Sequence, residues 1–380
     1  MDVINGKKRS IKTLVVKVGT TLLSGPQGFD GAVLECLVKE FAALKREHGM
    51  NILIVSSGAV GCGMAALGMK ARPRSLPIKQ AVAAVGQARL MHYYEVLFEK
   101  YGDGLQTAQV LLTAADLDHR VTYLNVRNTI YALFDMKQVI PVVNENDSVG
   151  TEELRFGDND TLAARVAAKI DADLLILLSD IDGLYDKNPR THRDARLIPY
   201  VERITPEIMA LAEGTTTQTS VGGMKTKLEA AKIACAAGVP MAIADGRRPH
   251  VIHDVLAQAC PMTLFGVAEN SLSQRKRWIA FGRAARGTIR VDDGAVNALL
   301  RKGKSLLPAG VVEVEGIFDV GSAVHVTDKS GRPIARGLVN YNSEDIRKIK
   351  GCKSDQIQAI LGHKDFDEII HRDNLVLLEV

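Results

Sequence analysis

The sequence predicts an α/β domain with an open, mostly parallel sheet sandwiched by helices, followed by a small, mainly β domain. Short apolar runs alternate with helical patterns from residue 13 to about 265, and such alternation is typical of a parallel sheet covered by helices. The pattern changes near residue 270, where a polar, basic stretch precedes short strands separated by glycines. A length of 380 residues fits two or three domains.

The strands predicted for the first domain are apolar on both faces, as expected for parallel strands covered on both sides. Between them, apolar residues from Leu34 to Leu44 recur at helical spacing, and residues 161–170 follow an Asn-Asp helix start signal. The predicted strands are Thr13–Val18, Asn51–Val55, Gln109–Leu112, Val139–Val143, Leu174–Leu178 and Pro240–Ala244.

The second domain is predicted to be a small, mainly β barrel with one or two helices, because short β-rich runs alternate with turn signals. We expect the first domain at residues 1–270, a linker at 271–284 and the second domain at 285–380. The predicted strands of the second domain are Gly287–Val291, Val311–Val314, Ala323–Val326, Pro333–Val339 and Asn374–Val380.

Composition excludes several classes of protein. No apolar run approaches the ~18 residues that span a bilayer, and the polar N-terminus lacks the apolar stretch of a signal peptide. The five cysteines are scattered without a CxxC pair, so neither a disulfide framework nor a zinc site is indicated. These features predict a cytoplasmic protein. The net charge of +4 is weak evidence for a nucleic-acid partner.

Unusual polar residues cluster where the predicted strands end, which is where ligands bind to open parallel sheets. Lys17 stands late in a buried strand and could reach an anion beside the backbone of Gly19, or it could snorkel to water. Residues 55–63 (VSSGAVGCG) allow a ligand close to a helix N-terminus, but they also fit a tight strand-to-helix turn.

Two acidic and amide-rich turns follow one another. Residues 144–147 (NEND) directly follow a predicted strand, and residues 157–160 (GDND) begin a helix about ten positions later. They could bind an ammonium group, orient a lysine or contact Mg²⁺ through water. Alternatively, the two turns are only Asx turns and a helix N-cap. That alternative explains one of the two turns well but does not explain why both occur so close together.

Two further segments are candidates for nucleotide contacts. Ser179-Asp180 ends the strand LLILL, and paired glycines precede Lys227 in residues 221–227 (VGGMKTK). Glycines at a helix start followed by a lysine form a plausible phosphate clamp, although the motif alone is weak.

Taken in order, these segments resemble the amino acid kinase family, followed by a stretch similar to a PUA domain. The match is closest to the members that phosphorylate the side-chain carboxylate of L-glutamate in the first step of proline biosynthesis. The resemblance covers nearly the whole chain and rests on VVKVGT (15–20), VSSGAV (55–60), KQAVAAVGQARL (79–90), NENDSV (144–149), GDNDTL (157–162), SDIDGLY (179–185), GGMKTKL (222–228) and RKRWI (275–279).

The resemblance implies a role for each matched position. Lys17 and Lys227 would bind the transferring phosphoryl group, and Asp160 would orient them. The glutamate-binding set would be Ser57, Asp147 and Asn159. The ATP contacts would be Lys17, Ser179, Asp180, Val221, Gly222, Gly223, Met224, Lys225, Thr226 and Lys227, with Asp158 near the metal. Where the family commonly has Thr-Asp, this chain has Ser179-Asp180, which keeps the hydroxyl.

The resemblance also implies ATP with Mg²⁺, without identifying metal ligands. It further implies feedback inhibition by proline, a homo-oligomer (dimer or tetramer) and coupling to the next enzyme of the proline pathway. A carboxylate acceptor is already deprotonated at neutral pH, so no general base is needed.

Three alternatives remain. One is another kinase of this fold that acts on aspartate, N-acetylglutamate, carbamate or UMP. A dinucleotide-dependent oxidoreductase is disfavoured because no GxGxxG motif with a downstream acidic residue is present. An RNA-binding PUA protein is also disfavoured, since residues 286–380 contain 14 Lys/Arg and 14 Asp/Glu and therefore lack a basic excess.

Overall fold

The computed structural model describes residues 2–4, 7–9, 11–25, 28–149, 159–212, 223–267 and 285–378. The chain divides into two compact units, Met1–Glu269 and Asn270–Val380. The residues of the predicted linker, 271–284, lie outside the described part. Within the described residues, no helix combines the length and the apolar character that crossing a membrane requires.

The first unit contains an eight-stranded sheet in the order β10-β12-β11-β9-β3-β6-β8-β7. The pairings from β11 through β9, β3, β6 and β8 to β7 are all parallel, whereas β12 runs antiparallel to β11. Two short antiparallel pairs, β1-β2 and β4-β5, lie apart from it. The strands are β1 Asp2–Ile4, β2 Lys7–Arg9, β3 Thr13–Val18, β4 Ser24–Gly25, β5 Gly28–Phe29, β6 Asn51–Ser56, β7 Gln106–Leu112, β8 Val139–Glu145, β9 Leu174–Ser179, β10 Tyr200–Val201, β11 Met241–Asp245 and β12 Thr263–Phe265.

Helices cover both faces of this sheet. Along β3, Leu14, Val16 and Val18 face one apolar cluster, while Val15 faces another, because successive side chains of a strand point to opposite faces. The helices are α1 Ala32–His48, α2 Ala59–Ala66, α3 Leu76–Tyr101, α4 Ala114–Asp118, α5 Arg120–Asp135, α6 Asn159–Lys169, α7 Pro206–Ala210, α8 Met224–Ala236 and α9 Val251–Ala257. The prediction of a mostly parallel sheet between two helical layers is confirmed.

One predicted strand differs in its surroundings. The run Gln109–Leu112 is the end of β7, which lies at the edge of the sheet, and only Leu112 of that strand is fully buried. The expectation that both faces of this strand are covered is therefore wrong. An edge strand has a neighbouring strand on one side only.

Helices α2 and α3 approach closely through two glycines. A Cβ built on Gly86 would lie 1.7 Å from the carbonyl oxygen of Ala59, and one built on Gly63 would lie 1.9 Å from the carbonyl oxygen of Val82. Neither position has room for a side chain. This contact fixes the N-terminus of α2, which directly follows β6.

The second unit has a five-stranded sheet in the order β14-β13-β15-β16-β17, over a core that includes Ile289, Val326 and Ile346. The β13-β15 pairing is parallel and the others are antiparallel. Residues 285–378, the described part of this unit, contain three α-helices where one or two were expected. The elements are β13 Gly287–Val291, α10 Asp293–Lys302, β14 Val311–Gly316, β15 Ala323–Thr327, β16 Pro333–Leu338, α11 Ser343–Ile349, α12 Ile357–Leu361 and β17 Leu375–Leu377.

Candidate active site

The candidate site lies where neighbouring parallel strands end. Strand β3 pairs with β9 on one side and β6 on the other, with Lys17 opposite Leu177 and Val55. The next strand outward is β8, which ends at Glu145. The polar residues that follow these four strands therefore meet at one edge of the sheet, as the sequence predicts for an open parallel sheet.

A buried ion triad forms the centre of this edge. The Nζ of Lys17 lies 2.5 Å from Oδ1 of Asp160, and the Nζ of Lys227 lies 3.0 Å from Oδ2. Asp160 is completely buried, and the two lysines are only 4% and 6% exposed. The Oγ1 of Thr226 lies 3.1 Å from the same Oδ2. Lys17 and the adjacent pair Thr226 and Lys227, which are far from it in sequence, thus share one carboxylate.

Local structure explains how the triad assembles. Lys17 extends from the end of β3, and Asp160 stands in the first turn of α6. Lys227 lies in the first turn of α8, whose N-cap is Gly223 and has no side-chain cap. Helices α6 and α8 pack against each other through buried residues such as Ala164 and Ala231, which brings the two helix starts together.

The triad fixes the charge of its carboxylate. Burial by itself would raise the pKa of Asp160, but the ammonium groups of Lys17 and Lys227 outweigh that effect and hold the pKa well below its ordinary value. Asp160 is therefore ionised across the neutral range. With two ammonium groups and one carboxylate, the triad carries a surplus positive charge that suits an anion.

A chain of hydrogen-bonded amides lies beside the triad. The Nδ2 of Asn159 is 2.9 Å from both the Oγ of Ser57 and the Oδ1 of Asn144. Asn144 in turn donates to the Oε1 of Gln87 at 2.8 Å, and Gln87 donates to Gln109 at 2.9 Å. These bonds fix which way the Asn159 amide points, and its Oδ1 is buried without a hydrogen-bond partner in the part of the chain that the structure describes.

An open cavity of about 550 Å³ lies next to these amides. Ser57, Asn159 and Asp147 line it, together with the N-terminal turn of α2. The first backbone N–H groups of a helix lack partners within the helix and favour an anion. The cavity thus combines donors for an anion with the carboxylate of Asp147, which suits a cation.

Ser179 and Asp180 form a separate polar cluster at the end of β9. The hydroxyls of Ser179 and Thr21 donate to Oδ1 of Asp180 at 3.2 and 3.3 Å, and Arg190 forms an ion pair with its Oδ2 at 3.1 Å. Partial burial opposes ionisation, but the hydrogen bonds from its own backbone N–H and Ser179, with the charges of Arg190 and Arg247, lower the pKa of Asp180.

The structure brings together most of the residues predicted from the sequence. The triad and the set of Ser57, Asp147 and Asn159 converge on adjoining parts of one edge, and Gly223, Met224 and Lys225 begin α8. Val221, Gly222 and Asp158 lie outside the described residues.

Sequence reasoning missed Gln87 and Asn144 as parts of the amide chain, although both stand in the quoted motifs VGQARL and NENDSV. It also missed the cavity-lining cations Arg72, Arg74 and Lys79. Which side of a helix or loop faces a cavity follows from packing, so no local signal identified these roles.

Metal ligands are not apparent in the described residues. No group of three or more His, Cys, Asp or Glu side chains that could hold a metal ion occurs in that part of the chain. Both oxygens of Asp160 are occupied by lysines. All five cysteines are free, in agreement with the absence of a predicted disulfide framework.

Comparison with known proteins agrees with this geometry. Residues 12–245 match the amino acid kinase family, and residues 287–361 match the PUA domain. A protein named glutamate 5-kinase from Caldanaerobacter subterraneus is 49% identical over 96% of this chain and 98% of its own. Another of that name, from Moorella thermoacetica, is 50% identical over 97% and 96%.

Among solved structures, UMP kinase from Ureaplasma parvum is 14% identical, covers 68% of this chain and 100% of its own, and has a TM-score of 0.46. The family match spans more than half of the chain, and the named relatives span nearly all of it. The chain therefore belongs to the amino acid kinase family and carries a PUA domain after its kinase domain.

Proposed function

We propose that this protein is a glutamate 5-kinase, which transfers the γ-phosphate of ATP to the side-chain carboxylate of L-glutamate and yields glutamyl 5-phosphate and ADP. The observation that carries the proposal is the buried triad of Lys17, Asp160 and Lys227 beside a cavity that offers groups for both an anion and a cation. The full-length similarity to proteins named glutamate 5-kinase supports the same assignment.

The chemistry of the transfer accounts for the triad. Phosphoryl transfer needs in-line positioning and stabilisation of charge on the equatorial oxygens. The acceptor here is itself an anion, so its repulsion from the phosphates must be offset. Lys17 and Lys227 each contact one carboxylate oxygen of Asp160, which holds both ammonium groups in place at the transfer point.

The acceptor needs no base, since a carboxylate is deprotonated at neutral pH. In this proposal Ser57 and the Asn159 amide hold the substrate next to the triad. Asp147, which lines the cavity, balances the α-ammonium.

ATP occupies the side of the triad that faces β9 and α8 in this proposal. Its contacts are Ser179, Asp180 and residues 221–227, where the start of α8 favours phosphate oxygens. Mg²⁺ would accompany the phosphates, as is usual for ATP, and would offset part of their negative charge.

A coupled ADP-release assay tests the proposal. L-Glutamate, L-aspartate, N-acetyl-L-glutamate, carbamate and UMP are compared as acceptors at equal ATP. We expect glutamate to give the highest kcat/KM by at least about tenfold, which corresponds to roughly 1.4 kcal/mol of discrimination. Preference for another acceptor would assign the chain to a different activity of the same family.

Three properties follow from the same family resemblance. We propose feedback inhibition by proline, assembly into a dimer or tetramer, and coupling to the next enzyme of the proline pathway. Proline titration of the glutamate assay, sedimentation of the full chain and substrate channelling with that enzyme measure them separately.

A further inference from the structure

The cavity is also lined by cationic side chains, and the roles given above to the amide chain and the triad do not explain them. Arg72, Arg74 and Lys79 line it, and we call these three residues the cationic wall. They belong to a short segment between α2 and α3 and to the first turn of α3. None of the three side chains makes an ion pair or a side-chain hydrogen bond with any residue that the structure describes.

The segment is anchored rather than loose at this point. Pro73 is buried, while Arg72 and Arg74 on either side of it are exposed. The ring of Pro73 also fixes one backbone dihedral. Two guanidinium groups therefore flank one buried anchor at the same cavity, and Lys79 is half-buried one helical turn further on.

The charges around the cavity indicate the chemistry of its ligand. Its lining includes three cations in the cationic wall and two carboxylates, those of Glu145 and Asp147. A ligand with two carboxylates and one ammonium group complements this arrangement. One carboxylate of glutamate is the phosphate acceptor and belongs at the triad, so the second, the α-carboxylate, is left for the cationic wall.

We propose that Arg72 and Arg74 bind the α-carboxylate of the substrate and thereby determine specificity for an amino acid with a free α-carboxylate. Arginine suits this role because its planar guanidinium can pair with a carboxylate through two parallel hydrogen bonds. Lys79 adds positive charge on the same side. This inference rests on the proposed function and extends it from the acceptor group to the recognition of the other end of the substrate.

The test compares two substrates in three proteins. L-Isoglutamine keeps the α-ammonium and the acceptor carboxylate of glutamate but has an uncharged α-amide. The ADP-release assay gives kcat/KM for glutamate and isoglutamine in the unaltered chain, in Arg72→Gln and in Arg74→Gln. Lys70→Gln is the matched control, because Lys70 is an exposed cation of the same segment that does not line the cavity.

Loss of a charge-assisted hydrogen bond predicts that kcat/KM for glutamate falls by about 10- to 100-fold in at least one arginine variant. The value for isoglutamine should change less than about threefold, since the lost partner is absent from that substrate. Lys70→Gln should leave both values unchanged. Melting temperatures of the variants should equal that of the unaltered chain, because both arginines are exposed.

Two outcomes separate the inference from the proposed function. If the unaltered chain does not phosphorylate glutamate, the proposed function is wrong. If it does, but both arginine variants lose glutamate and isoglutamine activity equally or lose neither, the arginines do not recognise the α-carboxylate. Should an arginine variant melt at a lower temperature, Arg72→Lys and Arg74→Lys repeat the comparison with the charge kept, and equal effects on the two substrates again overturn the inference.

Discussion

Replacing Asp160 by asparagine tests the buried triad most directly. The carboxylate is completely buried, with Lys17 Nζ at 2.5 Å and Lys227 Nζ at 3.0 Å. Asparagine keeps the size of the side chain and removes its charge. The variant would leave two ammonium groups, 4% and 6% exposed, without their shared counter-ion.

The cost follows from this geometry. Removing one partner of a buried ion pair typically destabilises a protein by about 3–5 kcal/mol, because the remaining charge stays buried. For a unit of this size that corresponds to a fall in melting temperature of roughly 6–20 °C. Phosphoryl transfer should also slow by on the order of 10²–10³, since the two lysines lose the group that positions them.

Calorimetry and the ADP-release assay measure the two effects, and Asp118→Asn is the matched control. Asp118 forms a 3.1 Å ion pair with Arg165 of α6, but the side chains are 55% and 34% exposed. Exposed pairs contribute only about 0–1 kcal/mol, so this variant should melt within roughly 4 °C of the unaltered chain.

A double variant and an acid titration complete the test. Lys17→Met with Asp160→Asn leaves one unpaired ammonium instead of two, so it should melt no lower than Asp160→Asn alone. Because the pKa of Asp160 is lowered by folding, its stabilisation is present above the ordinary value of 3.8 and is lost as the pH falls below it. If Asp160→Asn melts like Asp118→Asn, the triad does not stabilise the fold and this reasoning is refuted.

Three further predictions concern the rest of the site. Lys227→Ala should lower kcat by on the order of 10²–10⁴ with a much smaller change in glutamate KM, as steady-state kinetics will show. Gln87→Leu should raise glutamate KM by roughly tenfold while ATP affinity stays normal, because Asn144 loses its amide partner; equal loss of ATP binding would contradict this. Gly86→Ala should destabilise by at least about 2 kcal/mol in denaturant unfolding, since its Cβ would lie 1.7 Å from a carbonyl oxygen. Gly61→Ala, with nothing within 4 Å, is its control, and equal stability of the two would disprove the close helix contact.

The positions of the strands, and the edge of the sheet at which the site lies, were both predictable for the same physical reason. Buried parallel strands are continuous apolar runs, so strands such as Thr13–Val18 stood out from the sequence and end within a residue or two of the prediction. Ligands bind where such strands end, which directed attention to Lys17 and Ser57. The edge position of Gln109–Leu112 was not predictable, because strand order in a sheet is set by how the whole chain packs.

Local sequence patterns could not predict which residues contact one another across the site. The lysines of the triad are 210 positions apart along the chain, and their common contact with Asp160 depends on α6 and α8 packing side by side. The resemblance to a family supplied that grouping, whereas spacing alone gave only three separate candidates. The amide chain from Gln109 to Asn159 had no counterpart in the sequence reasoning.

The sequence by itself determined the alternation of strands and helices, the change of character near residue 270 and the residues that end the strands, because each depends on neighbouring residues and on burial. Only the tertiary structure decided that Lys17 and Lys227 contact different oxygens of Asp160, that Asn159 Oδ1 is left without a partner in the described residues, and that Arg72 and Arg74 line the cavity. Those facts depend on distances between segments remote in sequence, and such distances are set by the packing of the folded chain as a whole.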